Sequence, residues 1–269
     1  MEGRIRVAVA GACGRMGVEV VRGICAQGDM ALVAAVDPKG EGRDAGEVAG
    51  IGPVGVTVRG DLEGALRESG AEVMVDFTTP GAVKENIRVA IECGARPVVG
   101  TTGLSEADLK EVDGWLREKK LSGFVAPNFA IGAVLMMAFC KQAARFFPDV
   151  EIIELHHERK KDAPSGTSLM TAKFVLEGRT ESPSPEPTER FTLEGVRGGN
   201  LEGVRIHSVR LPGLVAHQEV IFGGPGQVLT IRHDAISREA FVPGVLIAVR
   251  KVKELPVGLT VGLEKLLGI

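Results

Sequence analysis

The apolar and polar positions along the chain fall into two rhythms. Through the first half, short apolar runs recur, and each ends in small or polar residues. Residues 4–10 (RIRVAVA) read as a buried strand. The turn Gly11-Ala12-Cys13-Gly14-Arg15-Met16-Gly17 follows, and residues 18–24 suggest a helix. A second strand over 31–36 ends in Asp37-Pro38-Lys39, and the glycine-rich stretch 40–60 reads as a loop with one short strand. Three strand-and-turn units come next. Residues 71–77 end in Thr78-Thr79-Pro80 and lead into a helix through Cys93, and 96–99 end in Gly100-Thr101-Thr102-Gly103. Ser105 with Asp108 marks the cap of a helix over 106–120. Residues 123–126 end in Pro127-Asn128-Phe129. A long apolar helix is expected over 131–147, with Met136, Met137 and Phe139 in its core.

In the second half the rhythm shortens to period two. An apolar run at 150–155 leads into His156-His157, and residues 204–210, 215–222 and 227–233 alternate between Pro-Gly or Gly-Gly turns. They predict a largely antiparallel sheet, mixed because the 150–156 strand joins through a helix. One face of this sheet is expected to be apolar and incompletely covered, which suggests an oligomer interface. The prolines of 181–187 indicate a loop. A final helix is expected over 237–253, and the segment to Ile269 is expected to dock back on the first domain. The whole is an α/β protein: a Rossmann-type doubly wound parallel sheet plus an α+β domain with a mixed sheet.

Composition narrows the function. The 269 residues suit one large domain or two small ones, and a net charge of −3 gives no general pull toward nucleic acid or membrane. The four cysteines show no CxxC or CxxH spacing, which argues against zinc or a disulfide framework and fits a reducing compartment. The N-terminus lacks a signal-peptide layout and no apolar run approaches a membrane span, so a soluble cytoplasmic protein is expected.

Two stretches carry chemistry. The first is G-x-x-G-x-x-G at 11–17, between a strand and a helix. Such glycines let the backbone approach a pyrophosphate, and the helix start faces its charge. A tight turn with no ligand remains the alternative at this point. Asp37 lies where a ribose hydroxyl is usually caught. Its carboxylate favours NADH, whereas Lys39 could hold a 2′-phosphate, so either cofactor is accommodated. The second stretch is VEIIELHHERKKDAPSGTS at 150–168. It hands two imidazoles and three cations to a loop that closes on a helix start able to hold an anion. Histidine moves protons near neutral pH, and a lysine does so when desolvation or neighbouring cations lower its pKa. Asp162 is expected to brace the loop, and His207, His217 and His233 to be structural. Ser165 lacks the flanks of a nucleophile elbow, which excludes hydrolase chemistry.

The segments VAGACGRMG at 9–17, DFT at 76–78, VGTTG at 99–103, APNFAIG at 126–132 and above all ELHHERKKDAPSGT at 154–167 resemble the 4-hydroxy-tetrahydrodipicolinate (dihydrodipicolinate) reductase family. These enzymes serve the diaminopimelate route to lysine, and the resemblance spans essentially the whole chain. It implies a Rossmann domain over 1–127 and 238–269, with a substrate-binding and tetramerisation domain over 128–237. It implies a homotetramer and a small cyclic dicarboxylate substrate, with no metal. NADH or NADPH would be held by Gly11, Ala12, Cys13, Gly14, Arg15, Met16, Asp37, Lys39, Phe77, Gly100, Thr101, Thr102, Ala126, Pro127, Asn128 and Phe129. His156 and Lys160 would handle the proton, and His157, Gly166 and Thr167 would contact the substrate in a dry cleft between domains. Pro127, Ala130 and Ser168 depart from the usual alanine, serine and alanine, and Asp37 replaces the glutamate of some members. Two other readings compete. One is a different NAD(P)-dependent dehydrogenase of the same two-domain plan. The other is a nucleotide-sensing regulator, which would leave 156–167 without a role.

Overall fold

The computed structural model describes residues 3–184 and 190–269. Along the chain the elements are β1 (Ile5–Ala10), α1 (Arg15–Cys25), β2 (Met30–Val36), α2 (Ala45–Ala49), β3 (Val58–Arg59), α3 (Leu62–Ser69), β4 (Val73–Asp76), α4 (Val83–Glu92), β5 (Arg96–Val99), α5 (Glu106–Glu118) and β6 (Ser122–Val125). Then come α6 (Ile131–Ala143), β7 (Asp149–His156), α7 (Gly166–Gly178), β8 (Gly199–Leu201), β9 (Val204–Arg210), β10 (Ala216–Gly224), β11 (Gln227–Ala235), α8 (Val242–Lys251), β12 (Gly258–Val261) and α9 (Glu264–Leu267). They form two compact units, residues 1–130 with 238–268, and residues 131–237.

The first unit is a seven-stranded sheet in the order β12-β6-β5-β4-β1-β2-β3, with every pair parallel. A parallel sheet needs helical crossovers, which cover both faces, so its strands must be apolar on both sides. Val7, Ala8, Val9 and Ala10 meet that demand, all buried, as are Val73, Met74 and Val75. The chain runs outward in both directions from β1, so the gap between β1 and β4 is the switch point where such sheets take ligands. Small strand residues (Ala8, Ala10, Ala34) let α3 and α4 seat closely through Ala65, Leu66 and Ala90. The expected docking of the C-terminus is realised, since β12 pairs with β6.

The second unit is a five-stranded mixed sheet, β11-β10-β7-β9-β8, in which only β7 and β9 run parallel. Alternation sorts its faces. Val150, Ile152, Ile206, Val220 and Phe222 are buried, and α6 and α7 pack together on that side. The opposite face mixes Ile153, Leu155, Val209 and Ile221 with charge. Glu151 holds Arg197 and His207, and Arg232 bridges Glu219 and Asp234. The apolar face is therefore the helix-covered one, and the other is amphipathic rather than purely apolar.

Several local expectations change. Helix α1 begins at Arg15, not at residue 18, because Gly14 already takes the extended N-cap conformation. The presumed loop 40–60 contains α2, capped by the Asp44 side chain, a short-range signal masked by the glycines. Phe139 is 49% exposed rather than core, on the helix side away from buried Met136 and Met137. The final helix starts at Val242 behind a 3₁₀ turn (Arg238–Phe241), with Pro243 in its first turn, where a missing N–H costs nothing. The Ser105–Asp108 capping box is present as expected. The predicted 181–187 loop lies partly outside the described residues.

Candidate active site

The first unit builds a cradle from backbone. Gly11 has φ of +80°, and a Cβ there would collide with the Phe77 carbonyl oxygen. At Gly17 a Cβ would collide with the Gly11 carbonyl oxygen. Neither position admits a side chain, so the turn hugs the end of β4 and the start of α1 stands at its mouth. A cavity of about 450 Å³ opens there, lined among others by Gly11, Cys13, Gly14, Asp37, Lys39 and Phe77. Asp37 is aimed by two amides: its carboxylate accepts the Cys13 N–H at 3.1 Å and the Lys39 N–H at 2.9 Å. Ala12 is buried beneath this turn, and Arg15 and Met16 form the first turn of α1.

The other expected cofactor residues stand at neighbouring strand ends and do not line that cavity. The Phe77 ring lies over Gly100, where a Cβ would strike it, and packs 5.8 Å from the Phe129 ring. Thr101 is braced by a residue the motif reading left without a role. Asp76, fully buried, accepts hydrogen bonds from Thr101 Oγ1 (2.6 Å), Thr78 Oγ1 (2.8 Å) and Asn86 Nδ2 (2.8 Å). This ties the ends of β4 and β5 to α4. The signal for it was an acid closing an otherwise apolar strand. Thr102 and Pro127 are exposed, Ala126 is buried, and Asn128 Oδ1 accepts the Ala130 N–H at 2.9 Å. A backbone cradle with an amide-held carboxylate suits a dinucleotide, and its residues fit NADH or NADPH.

In the second unit, β7 delivers His156 and His157 to a turn closed by the Lys160 N–H donating to the His157 carbonyl, 3.1 Å. His157 Nδ1 accepts the Arg159 N–H at 3.2 Å. Lys160 Nζ reaches both Asp162 oxygens at 2.9 Å, and this ammonium holds the Asp162 carboxyl below the usual carboxylate range. Asp162 thus braces the loop, as its position suggested. Arg159 is 82% exposed and pairs with Glu158 at 3.3 Å. Helix α7 starts at Gly166, with Ser165 as N-cap accepting the Ser168 N–H at 3.2 Å. The amides of Gly166 and Thr167 are therefore in its first turn, where the helix dipole favours an anion.

Behind this helix start lies a buried polar chain that local reading did not find. Ser168 Oγ meets Ser165 Oγ at 2.8 Å and donates to Gln218 Oε1 at 2.7 Å, while Gln218 Nε2 donates to Thr171 Oγ1 at 2.7 Å. Ser168→Ala would strand the buried Gln218 carbonyl. It is expected to lower unfolding free energy by roughly 1–3 kcal/mol, read by denaturant titration, and an unchanged midpoint would refute the brace. The three histidines read as structural have such surroundings. His207 contacts Glu151 (2.8 Å), His217 contacts Asp234 (2.7 Å), and burial pushes the His233 pKa down. Among the described residues no group of His, Cys, Asp and Glu is arranged to hold a metal.

A nucleotide cradle at the switch point of a parallel sheet, followed in the chain by a unit bearing His156, Lys160 and a helix start ready for an anion, is the plan of the two-domain nicotinamide-dependent oxidoreductases. Within that class the chain belongs to the dihydrodipicolinate reductase family. The family model for the N-terminus of dihydrodipicolinate reductase matches residues 5–129, and that for the C-terminus matches 132–267. The chain is 53% identical over 265 residues to 4-hydroxy-tetrahydrodipicolinate reductase of Desulfitobacterium hafniense, covering 98% of this chain and 99% of that one. It is 51% identical to the protein of the same name from Moorella thermoacetica, over 98% of each. Among solved structures, the dipicolinate-bound dihydrodipicolinate reductase of Paenisporosarcina sp. TG-14 matches at 43% identity and TM-score 0.85, over 97% of this chain and 99% of that one. An amine dehydrogenase from Mycobacterium smegmatis, 16% identical with TM-score 0.69, shares the fold.

Proposed function

We propose that this chain reduces 4-hydroxy-tetrahydrodipicolinate to tetrahydrodipicolinate with NADH or NADPH, in the diaminopimelate route to lysine. The observation that carries this reading is the coincidence of two features within one short stretch of a family member. His156 ends β7, Lys160 is braced in the loop that follows, and the first-turn amides of Gly166 and Thr167 come after it. A nicotinamide bound in the cradle supplies hydride. The amides of Gly166 and Thr167 bind one substrate carboxylate, and His157 contacts the substrate. His156 and Lys160 handle the proton that the ring carbon takes up as hydride is added and water is lost. Gly11–Met16 as a turn, Asp37, Lys39, Phe77, Gly100–Thr102 and 126–129 serve the cofactor. The test is loss of nicotinamide absorbance on adding the product of the preceding synthase reaction to purified protein. Turnover with that substrate, competed by pyridine-2,6-dicarboxylate, supports the assignment. Turnover only with an amino acid or a polyol would replace it with the sister dehydrogenase reading, and tight NADH binding without turnover would favour the regulator.

The protein acts as a soluble cytoplasmic enzyme. Among the described residues no helix is long and apolar enough to cross a membrane. The amphipathic face of the second sheet supports a homotetramer, with Ile153, Leu155, Val209 and Ile221 buried against other copies and the charged pairs of the same chain at the rim. Sedimentation equilibrium is expected to give four chains, and a monomer would exclude this use of the face.

A further inference from the structure

The alternation along β7 puts Val150, Ile152 and Glu154 on its buried face, so an acid stands where the pattern calls for an aliphatic side chain. Glu154 is completely buried. One oxygen contacts His156 Nδ1. Arg210, 56 residues on, grips both oxygens, Nη1 to Oε2 at 3.1 Å and Nη2 to Oε1 at 2.8 Å. Arg210 Nη2 also donates to the Asp162 carbonyl at 2.6 Å, and Asp162 holds Lys160. The chain His156–Glu154–Arg210–Asp162–Lys160 is continuous, and it links the two groups assigned above to the proton.

We infer that Glu154 is a positioning residue, whose carboxylate accepts the Nδ1–H of His156, fixes the ring with Nε2 toward the substrate and, through Arg210, ties that ring to the loop carrying Lys160. This rests on the reading that His156 handles the proton. A guanidinium on both oxygens already satisfies a buried carboxylate, and a buried ion pair is a poor source of stability compared with apolar packing. The imidazole contact is additional to that pair, and it has a chemical consequence. A carboxylate can only accept, so the ring proton must sit on Nδ1 and Nε2 is left to exchange a proton with substrate. Burial by itself would raise the Glu154 pKa, but the hydrogen bonds from His156, Arg210 and Ser208 outweigh it and hold it at about 2, so the acceptor stays ionised wherever the enzyme works. The arrangement is the one by which an acid orients the histidine of hydrolase triads.

Glu154→Gln keeps the shape but offers an amide N–H, which would donate to Nδ1 and move the ring proton to Nε2. The expected result is a fall in kcat on the order of 10²-fold with KM for NADH nearly unchanged. Placed on top of His156→Gln, it should cost nothing further, because it acts through that ring. Losses that multiply would reduce Glu154 to a structural ion pair and overturn the inference. Because the variant could fold poorly, the unaltered protein supplies an independent check. Its ¹⁵N ring spectrum, with the His156 signals identified by their absence in His156→Gln, should show Nδ1 protonated and Nε2 bare when the ring is neutral. The opposite tautomer would sink the inference whatever the kinetics. Should His156→Gln turn over like the parent, the proton role assigned to His156 fails, and the tautomer still decides what Glu154 does.

Discussion

Alanine in place of His156 or of Lys160 is expected to lower kcat by roughly two to four orders of magnitude while leaving the affinity for NADH nearly intact. The asymmetry follows from placement. His156 is the last residue of β7 and Lys160 lies in the loop that follows, whereas the residues proposed to hold the cofactor are at the ends of β1, β2, β4, β5 and β6 in the other unit. Neither truncation removes a core side chain, since His156 and Lys160 both remain partly exposed, so thermal stability should change little beside activity. Removing His156 leaves Glu154 still gripped by Arg210, and removing Lys160 leaves an exposed Asp162, so neither strands an unpaired buried charge. Steady-state kinetics on both variants, with NADH titrated by fluorescence, measures the effect. Parent-like turnover in both would end the assignment of proton transfer to this loop.

Gly17→Ala is expected to raise the NADH dissociation constant by on the order of 10²-fold, the equivalent of about 3 kcal/mol. The new methyl would meet the Gly11 carbonyl oxygen and the Ala12 Cα, both backbone atoms, so the turn itself must move. That movement withdraws the amides that a pyrophosphate would need and pushes α1 off the strand. A control separates this from glycine loss in general. Gly114 lies inside α5, where a Cβ meets nothing, so Gly114→Ala should stabilise the protein by up to about 1 kcal/mol and leave NADH binding untouched. Equal NADH binding in both variants would show that the turn does not hold the cofactor.

Much of this was legible locally. The strand-turn-helix at 5–25 could be read because a parallel strand must be apolar on both faces and its turn must be glycine. The cap at Ser105 could be read because the two residues that make it are three apart. The loop of His156 and Lys160 could be read because its chemistry is contiguous. Glu154 was written in the same stretch, yet its importance stayed hidden. An acid at period two beside Val150 and Ile152 announces a buried partner without naming one, and the partner, Arg210, comes from a different strand. Gln218 is equally anonymous until strand pairing brings it beneath Ser168.

The amino-acid order alone determined the strand runs, the glycine turn with Asp37 beyond it, and the types of group at 156–167, because periodicity and turn chemistry act over a few residues. Only the tertiary structure decided that β7 lies beside β9 in the register that sets His156 opposite Arg210, that Asp76 gathers Thr78, Asn86 and Thr101, and that Phe139 faces outward while Met136 and Met137 face in. The reason is physical. Strand register is selected by the whole buried face at once, and a one-residue slip would turn every side chain to the other side, so the company a buried polar group keeps is a property of the assembled sheet.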